Sequence, residues 1–293
     1  MKIPANRDFA KFFQFAAELS DYARVVVRND AQLTLSSISP THVSALEVKY
    51  TVPTGTPLEA VGSEVKYGVR TAFIATALRN GMEVWFTPEG MVAATEKRKA
   101  TQKYVLQDDE PLNLDEIVEK QLVDAIPGRL DIGEIRAAEK FGIPLEHAHV
   151  SLQLVDDKVM ARFHADFGLD YEAEVGSLDK KVGAPMSIAV SWGHIAGLRR
   201  LCQYGSMIPV LLKPQVPLVF SRSEKGYSDA EGTIQMRYFV APMIEAEPAP
   251  VEQDEERPEE IQAKEGDESE GEEEGEEEAE TEEEAEAPLP SAQ

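Results

Sequence analysis

Met236-Arg237-Tyr238-Phe239-Val240-Ala241-Pro242-Met243-Ile244-Glu245 is where the chain changes character. Upstream, from Thr233 to Val240, apolar and polar residues alternate with the period of a strand. Downstream the sequence turns acidic and stays so. From Glu245 to Gln293 stand 23 of the 54 acidic residues and only two of the 29 basic ones, Arg257 and Lys264. Pro248-Ala249-Pro250 opens that tail, and runs such as Glu272-Glu273-Glu274 and Glu276-Glu277-Glu278 fill it. Dense like charge with little apolar surface cannot offset the entropy of ordering, so residues 246–293 are expected to be a disordered acidic tail. Of the formal net charge of −25, residues 245–293 hold −21 (23 acids less two bases) and residues 1–244 only −4.

Working back through the body, the same order of elements occurs twice. After a short apolar start, Met1–Pro4, the residues Phe9, Phe12, Phe13, Ala16 and Leu19 recur at helical spacing and predict a helix over Arg7–Ser20. Strands are expected at Arg24–Asn29, Gln32–Ile38 and Val43–Val52, then a helix over Val69–Arg79 that Asn80-Gly81 stops. Further strands follow at Met82–Thr87, Met91–Thr95 and Thr101–Leu106. Gln107–Gly128 breaks the rhythm with Asp108-Asp109-Glu110-Pro111 and Pro127-Gly128, and reads as a connector. Its Leu112, Leu114, Ile117, Val118 and Leu122 imply that it packs on something. The pattern then returns: a short start at Arg129–Ile132, a helix over Gly133–Phe141, and strands at Val150–Val155, Val159–Asp166 and Tyr171–Val175. A helix over Trp192–Tyr204 and strands at Val210–Lys213, Leu218–Ser221 and Thr233–Val240 complete it. Strands in meander-like runs fit a duplicated α+β architecture better than any βαβ scheme.

Several function classes fall away. There is no phosphate-binding loop, dinucleotide fingerprint or nucleophile elbow. A lone Cys202 permits neither an internal disulfide nor a cysteine zinc site. No apolar run reaches the ~20 residues that span a bilayer, and the first residues lack a secretory apolar stretch. The expectation is a soluble, intracellular protein without cofactor or bound metal. The best metal candidate is His147-Ala148-His149 with His164-Ala165-Asp166, which strand alternation would array in pairs on one face, whereas Asp108, Asp109 and Glu110 beside a proline read as a solvated linker. It stands as the rival, enzymatic reading. A second rival is an acidic, chaperone-like protein whose activity lies in the tail.

Basic residues recur with every helix, away from its apolar stripe: Arg7 and Lys11, Lys66 and Arg70 around the start of the second, Arg136 and Lys140, and Arg199-Arg200. Four-residue spacing puts three of these pairs each on one helical face. In a slightly acidic body this recurrence points to a phosphate-facing surface. Without a zinc finger or helix-turn-helix, contact with nucleic acid would be to backbone and independent of sequence.

Three segments resemble a known family. Ser37-Ile38-Ser39-Pro40-Thr41-His42-Val43-Ser44-Ala45-Leu46 resembles the Asp-x-Ser-His-Val-x-Leu segment of DNA sliding clamps of the proliferating-cell-nuclear-antigen (PCNA) type. Gln215-Val216-Pro217-Leu218-Val219-Phe220 resembles that family's Val-Pro-Leu strand. Met236 to Glu245 is similar to its C-terminal Tyr-Tyr/Leu-Leu-Ala-Pro-Lys/Arg-Ile-Glu. Gly133-Glu134-Ile135 also stands where a Gly-Glu-Phe opens the first helix of the second domain, so the resemblance spans residues 1–245 in order.

The resemblance implies two similar clamp domains (1–107 and 129–245) joined by a connector (108–128), with three subunits closing into a ring around duplex DNA. The helices would line the hole and place Arg7, Lys11, Lys66, Arg70, Arg136, Lys140, Arg199 and Arg200 toward phosphates. A pocket for short partner peptides would combine Ile38, His42, Val43, Ala45, Pro217, Phe239, Ala241, Pro242 and Ile244, with Leu112 and Leu114 at the connector lip. The implied role is a non-catalytic processivity factor for DNA polymerase and other replication and repair enzymes. It would be loaded by a separate clamp loader and would work in the cytoplasm at the nucleoid, or in a nucleus in a eukaryotic source. A subunit of a heterotrimeric or checkpoint-type clamp is the alternative within the family.

Overall fold

The computed structural model describes residues 1–28, 32–53, 67–106, 114–141, 149–165, 169–201, 207–228 and 231–243. The chain opens with a two-residue strand, β1 (Lys2–Ile3), and Asn6 then starts helix α1 (Arg7–Leu19). The Asn6 side chain accepts the otherwise unpaired N–H groups of Asp8 and Phe9 at 2.8 and 3.2 Å. Phe9, Phe12, Phe13, Phe15 and Ala16 are buried along one side of the helix. Three strands meander next, β2 (Tyr22–Arg28), β3 (Gln32–Ile38) and β4 (Ser44–Thr51), then β5 (Tyr67–Arg70) leads directly into α2 (Thr71–Arg79). Strands β6 (Glu83–Thr87), β7 (Gly90–Ala94), β8 (Lys99–Lys103) and β9 (Val105–Leu106) close the first half. The sequence pattern over Thr101–Leu106 predicted one strand. Tyr104 divides it instead, so that β8 pairs with β7 and β9 crosses to β5 in the other sheet. The Tyr104 hydroxyl holds the crossing by donating to the Thr87 carbonyl at 2.8 Å.

Residues 114–121 form a helix, α3 (Leu114–Gln121), and the next strand, β10 (Ile126–Leu130), begins within the expected connector. Pro127-Gly128 punctuates a turn by composition, but here both residues lie in a central strand between β13 and β15. Gly128 is needed there because a Cβ would fall 2.8 Å from the Ser177 carbonyl oxygen. Helix α4 (Ile132–Arg136), capped by Asp131, runs on as a 3-10 turn to Phe141. Strands β11 (His149–Val155), β12 (Lys158–Ala165), β13 (Leu169–Leu178) and β14 (Met186–Ser191) follow. Helix α5 (Trp192–Ile195) then continues as a 3-10 turn over Ala196–Arg200. Two glycines in nine residues, Gly193 and Gly197, weaken a regular helix at this point. The body ends with β15 (Ile208–Leu212), β16 (Leu218–Lys225) and β17 (Thr233–Val240).

Every strand pair is antiparallel, and the strand order repeats. The first half contains the orders β1-β6-β7-β8 and β5-β2-β3-β4, and the second contains β10-β15-β16-β17 and β14-β11-β12-β13. The fold is therefore α+β with two halves of one topology. The halves are welded where β17 lies against β4, with eight paired positions from Thr233–Thr51 to Val240–Ser44. Among the described residues, that weld makes one continuous sheet of thirteen strands beside a separate sheet of four. Residues 1–246 form one compact unit, and the expected disordered tail lies outside the described residues.

One apolar layer fills the space between the sheets and α1, α2, α4 and α5. Strand alternation decides which residues enter it. On β17, Ile234, Met236 and Tyr238 face this layer, and on β4 so do Leu46, Val48 and Tyr50. Phe15 seals the weld on the helix side. Its ring meets Tyr238 edge-on at 4.9 Å, and Gly197 packs so closely that a Cβ would lie 2.7 Å from the ring. Phe15→Ala should therefore lower the unfolding free energy by about 3–5 kcal/mol, read from denaturant melts, whereas truncating the exposed Arg7 should leave it nearly unchanged.

Candidate functional site

Two surfaces emerge, one on each side of the thirteen-stranded sheet. On the first, the helices stand in a row: α2 against α1, α1 against the 196–200 turn, and that turn against α4. The row carries the basic residues singled out by sequence. Arg7 and Lys140 are exposed, as is Arg199. Lys11 is exposed but ion-paired at 2.8 Å with Asp8, one turn away. Arg200 is ion-paired with Glu18 of α1 across the weld. Arg70 precedes α2 and lies over the Tyr22 ring at 5.3 Å, its Nε donating to the Tyr22 hydroxyl at 3.0 Å. Arg136 is half-buried, and Lys66 lies outside the described residues. Arg79, exposed in the last turn of α2, belongs to the same row and was not singled out. The row thus holds cations of two kinds. Lys11 and Arg200 already face carboxylates, while Arg7, Arg79, Lys140 and Arg199 have no carboxylate partner among the described residues.

The second surface is the outer face of the sheet at the weld. Alternation turns Ala45 of β4, Val219 of β16 and Phe239 of β17 outward, and each of the three is buried nonetheless. What covers them is α3 and the residue after it: Leu114 of the helix and Leu122 just beyond its end are buried on the patch, with Ile117 and Val118 packed beside them. Ile38, Leu211 and Val216 border the patch. Ions fasten the cover at one end. Arg237, also outward on β17, donates to Glu47 of β4 at 2.8 Å and to Asp115 of α3 at 2.5 Å. Lys49 lies 3.2 Å from the same Glu47 carboxylate. At the other end, the Lys213 Nζ donates to the Gln121 carbonyl at 2.9 Å, satisfying one of the last acceptors of the helix. Burial works against the Arg237 charge, but the Asp115 and Glu47 carboxylates more than offset it and hold the guanidinium above its usual value.

Of the peptide-pocket residues named from sequence, the structure gathers Ile38, Ala45, Leu114 and Phe239 into this patch. His42 is exposed at the loop after β3, with a left-handed backbone at φ 57°. Val43, Pro217, Ala241 and Pro242 are half-buried outside the apolar cluster. The Ala241 N–H donates to the Val43 carbonyl at 2.8 Å. Leu112 and Ile244 lie outside the described residues. Val219 and Leu211 were missed, although alternation within their strands carried the signal. The ionic fastening was missed because Glu47, Asp115 and Arg237 meet only in three dimensions.

For the metal alternative, His149 is exposed on β11, while His147, Asp166 and the His164 side chain lie outside the described residues. Among the described residues, no group of three or more His, Cys, Asp or Glu side chains is arranged to hold a metal.

No protein-family model matches the sequence, and no curated protein matches it. Solved structures do match in shape. One is A. fulgidus PCNA, solved with the C-terminal region of FEN-1 bound: the TM-score is 0.62 at 14% identity, over 84% of this chain and 99% of that one. Another is the PCNA2-PCNA3 complex from Sulfolobus tokodaii, with a TM-score of 0.58 at 15% identity, over 82% of this chain and 98% of that one. The chain thus has the fold of archaeal PCNA clamps, with a sequence far from both.

The fastening of the outer face makes a stability prediction. Glu47 is only 6% exposed, so Arg237→Met strips a nearly buried carboxylate of its main partner. The substitution should cost about 1–3 kcal/mol in a denaturant melt. Adding Glu47→Gln should recover part of that loss, because the stranded charge is then gone.

Proposed function

We propose that this chain is a non-catalytic DNA sliding clamp, a ring of three copies that encircles duplex DNA and tethers polymerase and other replication or repair enzymes to it. The observation that carries the reading is the repeat itself, which makes one joint within the chain and leaves the equivalent joint open. Inside the chain, β4 of the first half pairs with β17 of the second, and α1 packs against the turn after α5. Exchanging the halves assigns the open joint to β13 of one copy and β8 of the next, with α4 against the neighbour's α2.

Both sides of that open joint have the expected character. β8 and the turn before it expose Lys97, Arg98, Lys99 and Lys103, and β13 exposes Asp170, Glu172 and Glu174. The internal joint has the same polarity, with basic Arg237 on β17 and acidic Glu47 on β4. On the helix side, Phe141 at the end of the α4 turn is 63% exposed. Beside α2 lies a largely apolar cavity of about 630 Å³ lined by Phe73, Met82 and Val105 among others. Phe141 would fill it as Phe15 fills the internal joint. The fold match supports the same reading, since both neighbours are PCNA clamps and one is bound to a partner segment.

In such a ring the helix row faces the duplex. Its cations meet phosphates without reading bases, and the contact weakens with salt. Retention is topological, so a body of net charge −4 is no obstacle. Processivity follows from effective concentration: a tethered enzyme rebinds the primer end before it diffuses away. Opening and loading the ring fall to another protein, and the clamp acts wherever the genome lies.

Light scattering should give a mass near 97 kDa, three times the 32.3 kDa chain. Lys99→Glu with Lys103→Glu should lower it to that of one chain, and adding Glu172→Lys with Glu174→Lys should restore it by inverting both edges. A wild-type mass of one chain at ~10 μM would remove the self-sufficient ring. Because the Sulfolobus tokodaii neighbour joins two different PCNA chains, that result would point to unlike subunits.

Arg199→Glu with Lys140→Glu should shorten primer extension on a loaded template while leaving the mass and the melting temperature unchanged. Wild-type extension lengths in this variant would place the DNA elsewhere.

A further inference from the structure

The outer-face patch is occupied by the protein's own connector. Helix α3 spans eight residues, far below the ~12–15 that hold a helix in water without support. Its helicity and its seat on the sheet are therefore one event, which makes it a two-state element: docked and helical, or released and unfolded. The docked state has the anatomy of a bound peptide. Leu114, Ile117, Val118 and Leu122 place apolar side chains at i, i+3, i+4 and i+8, and these are the positions on the patch. Asp115 at i+1 supplies the carboxylate that Arg237 grips at 2.5 Å. That carboxylate is half-exposed, so the grip is modest and reversible.

We propose that α3 is an intramolecular ligand that keeps this patch closed. The external partner that opens it is an amphipathic helical peptide repeating the same chemistry: apolar residues at i, i+3, i+4 and i+8 and a carboxylate at i+1. The biological use of such a partner rests on the clamp reading, but the occlusion itself is a property of residues 114–122 and the sheet beneath them. The apparent affinity of the patch for an outside peptide is its intrinsic affinity reduced by the fraction of time that α3 is away.

The test is fluorescence polarisation with the full chain and a labelled synthetic peptide copying residues 114–122. Wild type should bind it weakly. Leu114→Ser with Leu122→Ser, which removes the anchors of the resident helix, should raise affinity about tenfold. Asp115→Asn alone should raise it about two- to fivefold, and amide exchange across 114–121 should quicken in the same variant. A peptide with its own Asp changed to Asn should bind all forms less well. Equal affinity in wild type and both variants, each shown folded by its thermal melt, would overturn the proposal. If the double variant does not fold, Asp115→Asn decides: unchanged affinity and unchanged exchange would overturn the proposal equally. The titration needs neither ring nor DNA. Loss of the affinity differences in a species of three-chain mass removes the occlusion and leaves the clamp; strong differences in a single-chain species keep the occlusion and remove the self-sufficient ring.

Discussion

The pairing of β17 with β4 is the constraint on which the rest of the molecule depends. It joins residues near the C-terminal end of the body to residues near its start, a long loop closure that is recovered only through a full antiparallel ladder of eight positions. One face of this ladder builds the apolar layer that seats the helices, through Tyr238, Met236, Leu46 and Val48. The other face builds the floor under α3, through Phe239 and Ala45. Because side chains alternate along a strand, a slip of one residue in this register would exchange the two floors and destroy both. The Arg237–Glu47 pair at 2.8 Å sits on the ladder itself and opposes such a slip, since only the observed register sets these two charges opposite one another.

Much of this was legible from periodicity. The α1 stripe and most strands of both halves declare themselves by spacing, and repetition of element order declares the duplication. What was not legible has physical causes. β14 is short, with only Ile188 and Val190 buried, too weak an alternation to separate from a loop. Pro127-Gly128 carries the composition of a turn, yet lies in a strand because Gly128 lets β13 come close. Helix α5 passes into a 3-10 turn where Gly193 and Gly197 weaken the α-form, and Gly197 is required because Phe15 takes the space that a Cβ there would need. The candidate surfaces divide in the same way. Exposed cations on helices can be counted from sequence, but the partners of Lys11 and Arg200 decide their availability, and Glu18 lies 182 residues from Arg200 in the chain.

The connector shows why composition underdetermines function. Leu114, Ile117, Val118 and Leu122 announce an element that packs, and Asp115 and Glu116 in the first turn favour a helix start. Neither fact says on which surface the element packs. That conclusion needs Ala45, Val219 and Phe239, contributed by three strands that meet only after the weld forms. A connector whose helix is too short to persist alone is coupled to the sheet by necessity, because its order is supplied by the surface it covers.

On the clamp reading, the pairing of cations within the helix row is itself meaningful. The salt dependence of duplex binding scales with the number of phosphates neutralised. A cation already facing a carboxylate must give up that contact before it can neutralise a phosphate. Asp8 and Glu18 therefore reduce the grip of Lys11 and Arg200 on a phosphate. A ring held on DNA by topology gains nothing from tight phosphate contacts, since each would have to break at every step along the duplex. The better arrangement is a few cations without a carboxylate partner among the described residues, such as Arg7, Lys140 and Arg199, beside others whose charge is shared, which keeps the duplex centred while sliding remains fast.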